Sequence, residues 1–96
     1  MAARSGSGRP RLAELNPYPL RLVDSHAHLQ AKPFDRDRDE VLAAAYAAGV
    51  ERLLIPGWNL HSSRTGLEFA RRHSLRTTVG IHPHEASSVT PAMWAE

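Results

Sequence analysis

The sequence has no cysteine, so disulfides and thiolate metal ligands are closed to it, and histidine and carboxylate remain as the strong ligands. That absence fits a cytoplasmic protein. No apolar run approaches the ~18–20 residues of a membrane span, and the N-terminus has no hydrophobic signal core, so no membrane partner is expected. The body of the chain also lacks a charge excess. The whole chain carries +2, but Arg4, Arg9, Arg11 and Arg21 face Glu14 alone within residues 1–21, leaving eight basic and nine acidic side chains over 22–96. Charge by itself therefore gives no argument for nucleic acid. Finally, 96 residues are too few for a closed eight-stranded barrel, which takes ~250.

What is present is the composition of a folded globular domain, 42% hydrophobic and 23% charged. Residues 1–19 contain Arg, Ser and Gly with a single acid and read as a flexible N-terminal extension, a transit peptide being the alternative. From residue 20 the pattern alternates. A short apolar run turning polar, 20–26, is expected as a buried strand. Residues 35–49 follow as a helix with acids in its first turns, an apolar stripe of Val41, Leu42, Ala45 and Ala48, and Gly49 to stop it. A second strand over 52–55 is closed by Pro56 and Gly57. A second helix covers 62–73, weakened by Gly66. A β-branched strand over 76–81 ends at Pro83. Thr90 and Pro91 open a third helix as N-cap and first helical residue. The order is βαβαβ, with strands recurring every ~25–31 residues as in repeating β/α units. A third helix that has barely begun at Glu96 leads us to expect residues 20–96 to be the N-terminal part of a larger fold, truncated in that helix.

Two histidine pairs follow predicted strands. His26 and His28 are separated by one residue, so strand alternation puts them on one face, and small Ala27 leaves room for two imidazoles to converge on a metal. The competing reading is two polar residues in a strand-end loop. Asp24 shares their parity and either orients a histidine or satisfies local backbone groups. His82 and His84, flanking Pro83, are again on one side, with small Gly80 beneath. A strand-end histidine can bind an anionic oxygen, move a proton or ligate metal, and the competing reading is a rigid proline turn with solvated rings. His61 and His73 read as surface residues at the ends of the second helix, His73 facing its last carbonyls. The acids from Asp35 to Glu40 read as dipole and capping partners. Trp58 and Asn59 follow the second strand at the same rim as the histidines.

The elements V-D-S-H-A-H at 23–28, F-D-R-D-R-D-E-V at 34–41, A-G-V-E-R-L-L-I-P-G at 48–57 and V-G-I-H-P-H-E-A at 79–86 resemble the TatD family of metal-dependent hydrolases, described as deoxyribonucleases. The resemblance implies an α/β fold, the N-terminal βαβαβ part of a TIM-type (β/α)8 barrel. It also implies one or two divalent ions, with Mg, Mn and Zn not distinguished, and hydrolysis of phosphodiester bonds with DNA as substrate. By the same resemblance His26 and His28 match first-strand metal ligands, and His82 matches a histidine at the family's active site, as a substrate-binding or other active-site residue. His84 takes no assigned role. The family's glutamate from a middle strand, two further histidines and a late aspartate all lie beyond residue 96, so the 96-residue chain is expected to be inactive alone. Two other readings stand beside this one: a barrel metallohydrolase acting on amide or ester bonds, and a non-catalytic truncated remnant.

Overall fold

The computed structural model describes residues 21–96; the expected extension over 1–19 lies outside them. Three strands, β1 (Leu22–Asp24), β2 (Val50–Pro56) and β3 (Arg76–Thr78), form a parallel sheet in the order β1-β2-β3. Helix α1 (Arg38–Ala47) connects β1 to β2, and α2 (Leu60–His73) connects β2 to β3. The expected βαβαβ order is therefore what the chain adopts. Helix connections are what parallel neighbours require, because a tight turn cannot return the chain to the same end of the sheet.

β2 is central, and its alternation sets the core. Leu53 and Ile55 are buried together with Leu29, Leu42, Phe69 and Ala70, so the helix-facing side of β2 meets one buried residue of α1 and two of α2. Leu42 is the buried member of the predicted α1 stripe, while Val41, Ala45 and Ala48 are half-buried. Gly49 takes φ 105°, a left-handed conformation that stops α1 and turns the chain into β2.

The other face of the sheet is open. Val23 is 67% exposed and Val79 65%, although parallel sheets are covered on both faces. The outer edges of β1 and β3 also have no strand partner among the described residues.

Several boundaries differ from the sequence expectation. β1 ends at Asp24, because the Asp24 carboxylate accepts the His26 amide at 3.1 Å and turns the chain out of the strand. β3 stops at Thr78 rather than 81, because Gly80 leaves the ladder for a side chain. The Ser63 hydroxyl donates to the Gly80 carbonyl at 3.2 Å and accepts the Gly80 amide at 3.1 Å. α2 starts two residues early because Asn59 caps it: its side chain accepts the Ser62 amide at 2.8 Å, and Ser62 Oγ accepts the Asn59 amide at 3.0 Å. α2 runs through Gly66 without a break. The helix passes close to its neighbours there, since a Cβ would lie 3.2 Å from both Gln30 Nε2 and Thr77 Oγ1. Thr90 caps a short α3 (Pro91–Trp94) as expected.

Candidate functional site

The carboxyl ends of the three strands lie at one edge of the sheet and are laced together by backbone hydrogen bonds. Ala27 donates to the Leu54 carbonyl at 3.1 Å, Gly57 to Thr78 at 2.8 Å, and His82 to Trp58 at 2.7 Å. The segments carrying His26, His28, Trp58 and His82 are thus held in one frame. Gly57 cannot carry a side chain there, because a Cβ would sit 2.9 Å from the Ser63 Cα.

His26 and His28 converge, with Nε2 atoms 3.2 Å apart and rings edge-on, centroids 4.9 Å apart at 88°. The route differs from the one expected. The strand has already ended at Asp24, so a bend fixed by the Asp24 carboxylate brings the rings together instead of strand alternation. Of the two readings of Asp24, the observed contact is the backbone one.

The pair can be tested for fit to a metal. Two nitrogens held ~2.0–2.1 Å from one ion lie ~3.4 Å apart at a tetrahedral angle and ~2.9 Å apart at a right angle. The observed 3.2 Å falls between these values. Both rings are exposed, so an ion can reach them. The pair alone does not make a full ligand set: no group of three or more His, Cys, Asp or Glu that could hold an ion occurs among the described residues.

His82 precedes a 3-10 turn, Pro83–Ser88, and its Nδ1 accepts the His84 amide at 3.0 Å. A backbone N–H can only donate, so a neutral His82 ring carries its proton on Nε2. That leaves an N–H donor suited to an anionic oxygen. The His82 and His84 rings pack with centroids 4.5 Å apart. A Cβ at Gly80 would meet nothing within 4 Å.

Other expectations are corrected. His73 does not face the last carbonyls of α2; its Nε2 lies 3.0 Å from the Asp39 carboxylate, and its ring packs on Phe69. Asp39 and Glu40 lie in the first turn of α1, as the dipole reading expects, but the N-cap Asp37 makes no side-chain cap bond, and Asp35 and Asp39 also form ion pairs. Asp35 meets Arg38 at 2.6 Å, and Asp39 meets Arg72 at 3.6 Å as well as His73. His61 is exposed, as expected.

Sequence reasoning missed Gln30 and Arg38. Gln30 is 3% exposed and donates to the Pro56 carbonyl at 2.8 Å, tying the loop after His28 to the end of β2. The signal for Arg38 was present in the D-R-D-R-D run, but alternating charge reads as a solvated face.

A family profile described as TatD related DNase matches residues 23–96. The 3'-5' ssDNA/RNA exonuclease TatD of Salmonella typhimurium is 42% identical over 72 residues, covering 74% of this chain and 28% of that protein. The protein of the same name from Klebsiella pneumoniae is 41% identical over 73 residues, 75% and 28% of the two chains. That from Escherichia coli K12 is 42% identical over 67 residues, 69% and 26%. The chain thus spans little more than a quarter of the length of these relatives.

Proposed function

Because this chain belongs to the TatD-related DNase family, we propose that it forms the metal-binding corner of a divalent-metal-dependent phosphodiesterase acting on single-stranded nucleic acid. The convergence of His26 Nε2 and His28 Nε2 to 3.2 Å carries this reading. His26 and His28 hold the ion, and His82 Nε2–H donates to a non-bridging phosphate oxygen. Bound there, a divalent ion supplies positive charge to phosphate oxygens and acidifies water. The His82 amide bond to the Trp58 carbonyl, which ties the His82 turn to the end of β2, supports placing the two roles at one rim. The relatives' names specify single-stranded DNA and RNA and 3'-to-5' action. We carry over the substrate class and the direction as parts of the same proposal.

Residues 20–96 are, in this proposal, the first three β/α units of a (β/α)8 barrel whose later strands cover Val23 and Val79 and supply the remaining ligands. The intact mass of the cellular product tests this. A mass of about 25–30 kDa is expected for a complete barrel, whereas 10.6 kDa would overturn it.

A substrate panel tests the chemistry on a chain carrying the whole barrel. Single-stranded oligonucleotides are expected to lose mononucleotides when Mg, Mn or Zn is supplied and to stay intact in a chelator. Peptide amides and carboxylic esters are expected to remain untouched. Amide or ester turnover with intact oligonucleotide would replace the phosphodiesterase reading with the other barrel metallohydrolase.

A further inference from the structure

Beside the histidine pair lies a cleft of about 490 Å³, lined by Gln30, Lys32, Trp58, His61 and Thr65 among others. That volume is in the range of small-molecule sites, ~300–1,000 Å³. Both walls are fixed without a ligand. One is the loop 30–35, whose Gln30 and Ala31 carbonyls accept from the Arg38 guanidinium. The other is the start of α2, set by the Asn59–Ser62 capping box and by the Trp58 amide donating to Ser62 Oγ at 2.8 Å.

The cleft adjoins the histidine pair through Trp58. Its indole meets His28 edge-on, with centroids 4.7 Å apart at 81°, while Trp58 also lines the cleft. The lining carries one cation and one carboxylate. Lys32, the sole lysine of the sequence, is exposed at the cleft, and the one lining carboxylate, Asp35, is already paired with Arg38 at 2.6 Å. A half-buried aromatic ring on one fixed wall and an exposed cation on the other is a combination that binds single-stranded nucleic acid irrespective of sequence. The ring offers a stacking face and the cation meets a phosphate.

We propose that this cleft receives the nucleotide next to the scissile phosphate, with its base stacked on Trp58 and its phosphate paired with Lys32. The proposal rests on the phosphodiesterase reading for what lies beside the cleft. Its test is separable from that reading, because binding can be measured without turnover.

The experiment uses a chain carrying the whole barrel and a fluorescein-labelled dodecathymidylate, with Kd read by anisotropy in chelator and KM read with metal added. Trp58→Ala is expected to raise Kd about tenfold, in line with the loss of one stacked base. Lys32→Gln is expected to raise Kd and KM about three- to fivefold with kcat within about twofold, and to flatten the salt dependence by ~0.7 in slope. Arg71→Gln, an exposed cation of α2 outside the cleft, is expected to change neither. Unchanged Kd in both cleft variants overturns the proposal, even if the oligonucleotide is hydrolysed. Weakened binding in both variants, with no hydrolysis by the parent protein, supports the cleft and removes the phosphodiesterase reading instead.

Discussion

In a chain carrying the whole barrel, alanine at both His26 and His28 is expected to lower divalent-metal affinity and phosphodiester hydrolysis by about 100-fold or more. Loss of a residue that merely orients a metal ligand costs about 10- to 100-fold, so loss of two ligands belongs at or above that range. The single variants are expected to fall nearly as far as the double. In the proposed site two imidazoles 3.2 Å apart would act as one chelating unit, and the effects of such units are not additive. Calorimetric metal titration and hydrolysis rates across a metal series check the point. Recovery of rate at high metal concentration is expected, because in the proposed site the histidines act by holding the ion. The competing account treats the same 3.2 Å as an N–H···N hydrogen bond within a solvated loop. On that account alanine changes neither affinity nor rate, and such a result would remove His26 and His28 from the site.

The distance itself was not legible in the sequence, although the residues were. Strand alternation was the reason to expect His26 and His28 on one face, yet β1 ends at Asp24 and the convergence comes from a side-chain-to-backbone turn. Alternation is a property of a ladder, and three paired residues are too few to extend it to residue 28. The elements with a strong periodic signal were legible. α1 has one apolar stripe and a terminal glycine, and β2 is an apolar run with Leu53 and Ile55 buried. Other features escaped because they depended on partners far along the chain. β3 was expected to run on to Ile81, and nothing near Gly80 announces that Ser63, 17 residues earlier, will take both of its backbone groups. His73 was matched to its own helix, whereas its partner Asp39 is 34 residues away on α1. Local propensity ranks local partners, and packing two helices on one sheet supplies others.

Arg38→Ala is expected to destabilise the protein by about 2–4 kcal/mol and to weaken the proposed metal site with it. The Arg38 guanidinium is 14% exposed and donates to the Leu29, Gln30 and Ala31 carbonyls and to the Asp35 carboxylate. It also lies over the Phe69 ring, 5.9 Å from the centroid. Hydrogen bonds to a charged donor are worth about 1.5–3 kcal/mol each, but water can reach part of this loop and recover some of them, so the net loss falls below their sum. Those three carbonyls begin immediately after His28, so their release frees the exit of the histidine turn and one wall of the neighbouring cleft together. Urea unfolding and metal titration of the same variant check the two effects, both of which are expected to move. Arg38→Lys discriminates the cause. Lysine keeps the charge opposite Asp35, but a single ammonium cannot reproduce a planar fork that reaches three successive carbonyls. It is therefore expected to regain less than half of the lost stability. A lysine variant as stable as the parent would mean that the ion pair with Asp35 alone matters. That outcome is disfavoured because Asp35 is exposed, and an exposed pair contributes about 1 kcal/mol or less.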